Sequence, residues 1–117
     1  MQRYLGKRKV LRIYISNEDR YDGKPLWEAL LSVSQNEGIA GATVFKAVAG
    51  IGAHSQLHTF NIWVLKQKLP LVIEIIDTKE KIDTFLQATK DMIEEGLVTM
   101  SDVEVLDYRH PKFTEGK

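Results

Sequence analysis

The run Leu69-Pro70-Leu71-Val72-Ile73-Glu74-Ile75-Ile76 restricts the fold more than any other stretch of this chain. Successive side chains of a strand point to opposite faces. Leu71, Ile73 and Ile75 therefore share one face, while Val72 and Ile76 share the other. A strand that is apolar on both faces has to be covered twice. Pro70 and Glu74 interrupt the run, which is too short and too polar to span a bilayer. The N-terminus has no apolar core of signal-peptide type, so the expected location is cytoplasmic.

The order of elements says what covers the first face. Val10 to Ile15 reads as a first strand, with Leu11, Ile13 and Ile15 aligned, and the Asn-, Asp- and Gly-rich stretch 16–23 stops it. A helix is expected from about Pro25, in its first turn, to Glu37, with Leu26, Leu30 and Val33 flanked by Trp27 and Leu31 as its stripe and Gly38 as its terminator. Thr43 to Gly50 is the second strand and Leu69 to Ile76 the third. Asp77 is expected to cap a second helix, with Glu80 reaching back. Ile82, Phe85, Leu86, Met92 and Ile93 form its stripe, Gly96 ends it, and Val103 to Tyr108 is the fourth strand. Two strand–helix–strand units joined this way predict an α+β, ferredoxin-like βαββαβ fold: one antiparallel sheet with both helices on one face.

A chain of 117 residues supports a single domain, 1–117, with a core over about 8–108 and a polar tail over 109–117. The second face of the third strand then needs a cover from outside the chain. Burial by another subunit is the economical answer, and a homo-oligomer is expected.

Charge and composition remove several function classes. Lys plus Arg and Asp plus Glu number 16 each, which leaves no overall electrostatic basis for binding nucleic acid. Arg3, Lys7, Arg8 and Lys9 form one local bias, read as a solvated basic end, with contact to phosphate or an acidic partner as the alternative. The absence of cysteine excludes disulfides, thiolate catalysis and cysteine-ligated metal.

Gly50-Ile51-Gly52 follows the second strand directly. Paired glycines turn the chain sharply and leave N–H groups open to an anion, although such pairs often only make a turn. The connection Gly52 to Lys68 is long for a small domain, and long connections tend to carry function. Phe60, Ile62 and Val64 alternate within it, opposite Trp63, and could extend the hairpin as a strand. His54 and His58 are four apart and, with His110, are the only candidates for a three-histidine metal site. Nothing in the sequence brings His110 to that pair, and no metal site is assigned. No serine lies in a Gly-x-Ser-x-Gly elbow, and the adjacent carboxylates Glu94-Glu95 and Glu18-Asp19 read as solvated charge, so no enzyme is expected. There is no Walker A lysine motif, and the third glycine of a dinucleotide fingerprint is missing. Any phosphate would rest on backbone N–H groups and a few cations, Arg12 and Arg109 being best placed, each with a surface ion pair as its alternative role.

This arrangement resembles the PII signalling proteins and, more narrowly, an uncharacterised bacterial family described as PII-like. The patterns that carry the likeness are Leu11-Arg12-Ile13-Tyr14-Ile15, Gly41-Ala42-Thr43-Val44, Gly50-Ile51-Gly52-Ala53 and Leu69 to Asp77. The resemblance implies a trimer that binds ATP, ADP or AMP in clefts between subunits and needs no fixed cofactor. It also implies that the 52–68 loop docks on a target protein. By that likeness Thr43 lines the adenine side, Gly50, Ile51, Gly52, Ala53 and His54 approach the phosphates, and Gly96, Leu97 and Arg109 complete the site. Departures are plain: Ala53 and His54 stand where PII proteins carry arginine after Gly-Phe-Gly, and Leu97 follows Gly96 with no lysine in that turn. Fewer cations imply weaker triphosphate binding. The loop has no tyrosine to modify. A membrane channel or transporter is the partner class the resemblance suggests, without insertion of this chain into the membrane. The alternatives are a docking module with no small ligand, and a metal or anion sensor acting through His54 and His58.

Overall fold

In a computed structural model, residues 5–51, 57–59 and 68–110 are described. Their core is a four-stranded antiparallel sheet built from β1 (Gly6–Ser16), β4 (Ala42–Lys46), β7 (Pro70–Asp77) and β8 (Leu97–Val105). Across the sheet the strands run in the order β4-β7-β1-β8. Two minor hairpins accompany it, β2 (Arg20–Tyr21) with β3 (Lys24–Pro25), and β5 (Ala49–Ile51) with β6 (Leu57–Thr59). Helices α1 (Leu26–Asn36) and α2 (Lys79–Thr89) lie on one face, so the expected ferredoxin-like α+β arrangement is what the chain adopts.

Register explains the core. Leu11 opposes Ile75, Ile13 opposes Ile73 and Ile15 opposes Leu71, giving three rungs of side chains on the helix face. Leu26, Ala29 and Leu30 of α1 and Ile82 and Phe85 of α2 close over them, and Phe85 and Ile82 are fully buried. Burying a side chain of this size contributes about 1.5–3 kcal/mol each.

Several boundaries differ from the sequence reading, for identifiable reasons. β1 begins at Gly6 rather than Val10 because its basic residues meet acidic partners on the neighbouring strand: Lys7 opposes Glu104 and Lys9 opposes Asp102 on β8, with an exposed Lys9–Asp102 ion pair. Pro25 is the N-cap of α1 rather than a residue of its first turn. Gly38 does end the helix. It takes φ +69°, its N–H donates to the Gln35 carbonyl, and the Ile39 N–H donates to the Ser34 carbonyl, the paired bonds of a Schellman terminus.

The cap of α2 is Thr78, whose hydroxyl accepts from the Lys81 N–H at 3.2 Å. Asp77 is occupied elsewhere: it accepts from the Thr78 N–H at 2.7 Å and the Ala40 N–H at 2.9 Å. α2 stops at Thr89, well before Gly96, and Met92 and Ile93 reach the core from the turn that follows. β8 runs from Leu97 to Val105 rather than from Val103 to Tyr108. As an edge strand it is largely exposed, and its mixed polarity hides the alternation that would have placed it.

The expected second strand splits in two. After Lys46 the chain turns at Ala47, whose N–H donates to the Pro70 carbonyl at 2.9 Å, and resumes as β5. The strand that pairs back on it is Leu57–Thr59. The alternating Phe60, Ile62 and Val64 lie outside the described residues.

Among the described residues, the second face of the sheet carries no helix. Across it, Phe45, Val72, Tyr14 and Leu97 form one row, Thr43, Glu74, Arg12 and Thr99 the next, and Ile76, Val10 and Ser101 a third. The middle row holds an ion pair, Arg12 Nε to Glu74 Oε2 at 3.0 Å. Apolar rows thus flank a polar centre.

Candidate functional site

A cleft of about 250 Å³ opens on the uncovered face, at the C-terminal end of β7. One wall comes from the α1–β4 connection and β4, through Gly41 and Thr43, and from β7, through Glu74, Ile76 and Asp77. The opposite wall is Arg8 of β1 with Val105, Asp107 and Tyr108 at and beyond the end of β8. The residues after Val105 therefore turn over the sheet instead of extending the strand.

Each wall has a local cause. The left-handed Gly38 redirects the chain after α1, and Asp77, only 2% exposed, holds the Ala40 N–H, which fixes Gly41 and the start of β4 beside β7. Thr43 and Glu74 are register partners, so hydroxyl and carboxylate sit side by side. Across the cleft, Asp107 Oδ2 accepts from Arg109 Nε at 2.7 Å. Two surface groups outside the cleft have displaced proton equilibria. A hydrogen bond from Lys9, then its charge, holds the Asp102 carboxyl below its usual range, and a hydrogen bond to Asp83 raises Lys79.

Among the described residues, those expected to bind nucleotide are not all gathered in one place within a single chain. Thr43 lines the cleft. Gly50 lies against Pro70, where a Cβ would come within 2.7 Å of the ring Cγ, so this glycine already has a packing reason to be glycine. Glu74, the partner of Thr43, and Pro70 stand four residues apart on β7, about 13 Å at the usual strand rise. Ile51 is exposed beside Gly50.

Gly96 and Leu97 belong to the same end of the sheet as Pro70 but to its opposite edge, with Leu97 opposite Tyr14. Three strand spacings, about 14 Å, separate the β4 and β8 edges. Arg109 follows the cleft-lining Tyr108 and pairs with Asp107. Gly52, Ala53 and His54 lie outside the described residues. His58 pairs with Gly50 through the backbone ladder, and His110 is exposed past the far end of β8. Among the described residues no three of His, Asp and Glu cluster as a metal cage, and no helix is long and apolar enough to cross a membrane. Sequence reasoning missed Tyr108, Ile76 and Glu74 as cleft residues. Alternation did put Ile76 on the face without helices, with Val72.

Comparison with known proteins places these features in a lineage. Residues 8–105 match the family model DUF190, described as an uncharacterized ACR. A UPF0166 protein of Aquifex aeolicus (strain VF5) is 42% identical over 100 residues, 86% of this chain and 94% of the relative. A UPF0166 protein of Methanocaldococcus jannaschii is 33% identical over 100 residues, 85% of this chain and 92% of the relative. Among solved structures, CPII, a nitrogen regulatory PII-like protein from Thiomonas intermedia K12 bound to ADP, AMP and bicarbonate, superposes with a TM-score of 0.64 at 18% identity, covering 86% of this chain and 97% of CPII. A PII-like signalling protein from Thermus thermophilus gives 0.63 at 18% identity, covering 87% and 92% of the two chains. At such identity the structural likeness speaks to the fold.

Proposed function

This chain belongs to the DUF190 family, and from that premise we propose that it is a non-catalytic regulatory protein of PII-like type, responding to an adenine nucleotide. The observation that carries the reading is the cleft beside Thr43, set in a fold shared with a PII-like protein described with ADP and AMP. In this reading the protein is a cytoplasmic trimer. The uncovered sheet faces meet at its centre, and neighbouring subunits bring the β4 edge of one toward the β8 edge of the next. That meeting would bring Gly96 and Leu97, on the β8 edge of one subunit, toward the Thr43 and Gly50 side of the next, with the 52–54 stretch and Arg109 as further contacts. Nucleotide binding then governs docking of the 52–68 loop on a target protein, of which a membrane channel or transporter is the candidate class.

One observation favours a second reading. The contact between Gly50 and Pro70 accounts for that glycine with no ligand, as expected of a docking module in which the glycines only turn the chain.

Thermal denaturation of the full chain with ATP, ADP and AMP separates the two. A ligand that binds only the native state stabilises it by about 2.7 kcal/mol at a hundredfold excess over Kd. The nucleotide reading expects a rise of several degrees with at least one nucleotide, lost in Thr43→Ala while the unliganded melting point stays near wild type. A flat response to all three at millimolar concentration overturns it in favour of the docking module.

A further inference from the structure

We infer that Lys81, which is not among the described residues lining the Thr43 cleft, sets how tightly that cleft binds by holding one of its walls in place. It is a positioning residue that acts through the corner 37–41. The inference rests on the adenine-nucleotide reading and deepens it by naming what controls affinity at the same site.

The corner is the first ground. Between the end of α1 and the start of β4, Glu37 to Gly41 form neither helix nor strand, yet Ala40 and Gly41 are part of the cleft wall. A segment outside the regular elements is only as well fixed as the bonds that reach it. The Schellman bonds tie Gly38 and Ile39 back to α1. Two further bonds arrive from across the fold. The buried Asp77 carboxylate accepts from the Ala40 N–H at 2.9 Å, and Lys81 Nζ donates to the Glu37 carbonyl at 2.6 Å.

The spacing of those two bonds is the second ground. Asp77 and Lys81 stand four residues apart at the start of α2, about one helical turn, and their bonds land three residues apart on the corner. One bond leaves a segment free to pivot about it, whereas two at separate points fix its direction. Thr78 ties the two grips together: its N–H donates to Asp77 Oδ1 at 2.7 Å and its hydroxyl accepts from the Lys81 N–H at 3.2 Å.

Electrostatics is the third. The last carbonyls of a helix carry partial negative charge that a cation stabilises. α1 has no basic residue in its own last turn, and Lys81 supplies that charge from the neighbouring helix. Gly38 leaves room for it, since a Cβ there would lie 3.1 Å from Lys81 Nζ. Asp77 lines the cleft, so a change at Asp77 alters the cleft surface itself. A change at Lys81 reaches the cleft only through the corner.

Calorimetric titration of the full chain with ATP, ADP and AMP tests this on wild type, Lys81→Met and Lys81→Arg. Methionine keeps an aliphatic stem and removes the ammonium, while arginine keeps a cationic donor. Apparent Kd rises as the fraction of molecules with an assembled site falls. Lys81→Met is expected to weaken the tightest of the three nucleotides by about tenfold, as for a corner seated in roughly one molecule in ten, and Lys81→Arg to stay within about threefold of wild type. Circular dichroism at the titration temperature confirms that each variant is folded. Lost global stability alone leaves the affinity of folded molecules unchanged, so weakened binding by folded Lys81→Met separates positioning from mere support. Hydrogen exchange gives a readout without ligand: the Ala40 amide is expected to exchange faster in Lys81→Met, with the amides of β7 unchanged. Wild-type affinity in folded Lys81→Met overturns the inference, as does an Ala40 amide that exchanges no faster, or a Lys81→Arg as weak as Lys81→Met. All three outcomes leave the nucleotide reading standing. Wild-type protein that binds none of the nucleotides overturns that reading and this inference together.

Discussion

A methyl group placed on Gly96 would sit 2.8 Å from the Tyr14 carbonyl oxygen and 3.1 Å from Cγ2 of Ile93. The oxygen belongs to the central strand and cannot swing aside as a flexible side-chain end would. Gly96→Ala is therefore expected to destabilise the fold by about 1–3 kcal/mol, the usual cost of overpacking, read as a lower urea midpoint at unchanged slope. The glycines of the candidate site were visible in the sequence, but their reasons were not. Gly50 is pressed by Pro70 and Gly96 by Tyr14, and both neighbours are brought in by sheet pairing that no local pattern encodes. Thr43 was singled out through the family resemblance alone, and it lines the cleft. Tyr108 was not, because it read as the last residue of a strand that in fact ends at Val105.

Elements with strong periodicity could be read directly, and those defined by a few hydrogen bonds could not. Both helices and β7 were evident from their apolar spacing. The hairpin β2–β3 left a signal that composition alone obscured: Asp22 and Gly23 both take positive φ, 53° and 79°, as a two-residue hairpin turn requires. The cap of α2 shows how a choice between adjacent residues is made. Asp77 is the stronger candidate by the Asp-x-x-Glu pattern, yet its carboxylate holds Ala40 across the fold, and the capping falls to Thr78. Thr78→Ala is expected to cost about 1 kcal/mol, the typical loss for an N-cap, measurable by chemical denaturation.

At the scale of the whole molecule, the face without helices decides what the protein is in solution. Phe45 is 50% exposed and Tyr14 38%, in one row with Val72 and Leu97. Grouped apolar exposure of this kind marks interfaces, and the Arg12–Glu74 pair at its centre gives a second copy a polar feature to align with. Phe45→Glu is expected to convert the proposed trimer to monomer, as measured by light scattering on a size-exclusion column, with the far-ultraviolet circular dichroism of the fold retained. An unchanged mass would mean that the interface lies elsewhere. The need for such a cover was already present in the alternation of Val72 and Ile76 opposite Leu71, Ile73 and Ile75. The position of the cleft was not, because it depends on the path of the chain after Val105.

β1 finds both of its neighbours, β7 and β8, in the second half of the chain, and Lys9 meets Asp102 across a separation of 93 residues. During synthesis the first strand therefore leaves the ribosome with two bare edges and waits for most of the protein to follow. Closing so long a loop carries an entropic cost that slows folding, and an unpaired strand invites pairing with other chains in the interval. Lys7, Arg8 and Lys9 are charges of one sign at the start of that strand, and they repel a second nascent copy of themselves. The acidic residues of β8, arriving last, are the partners they admit.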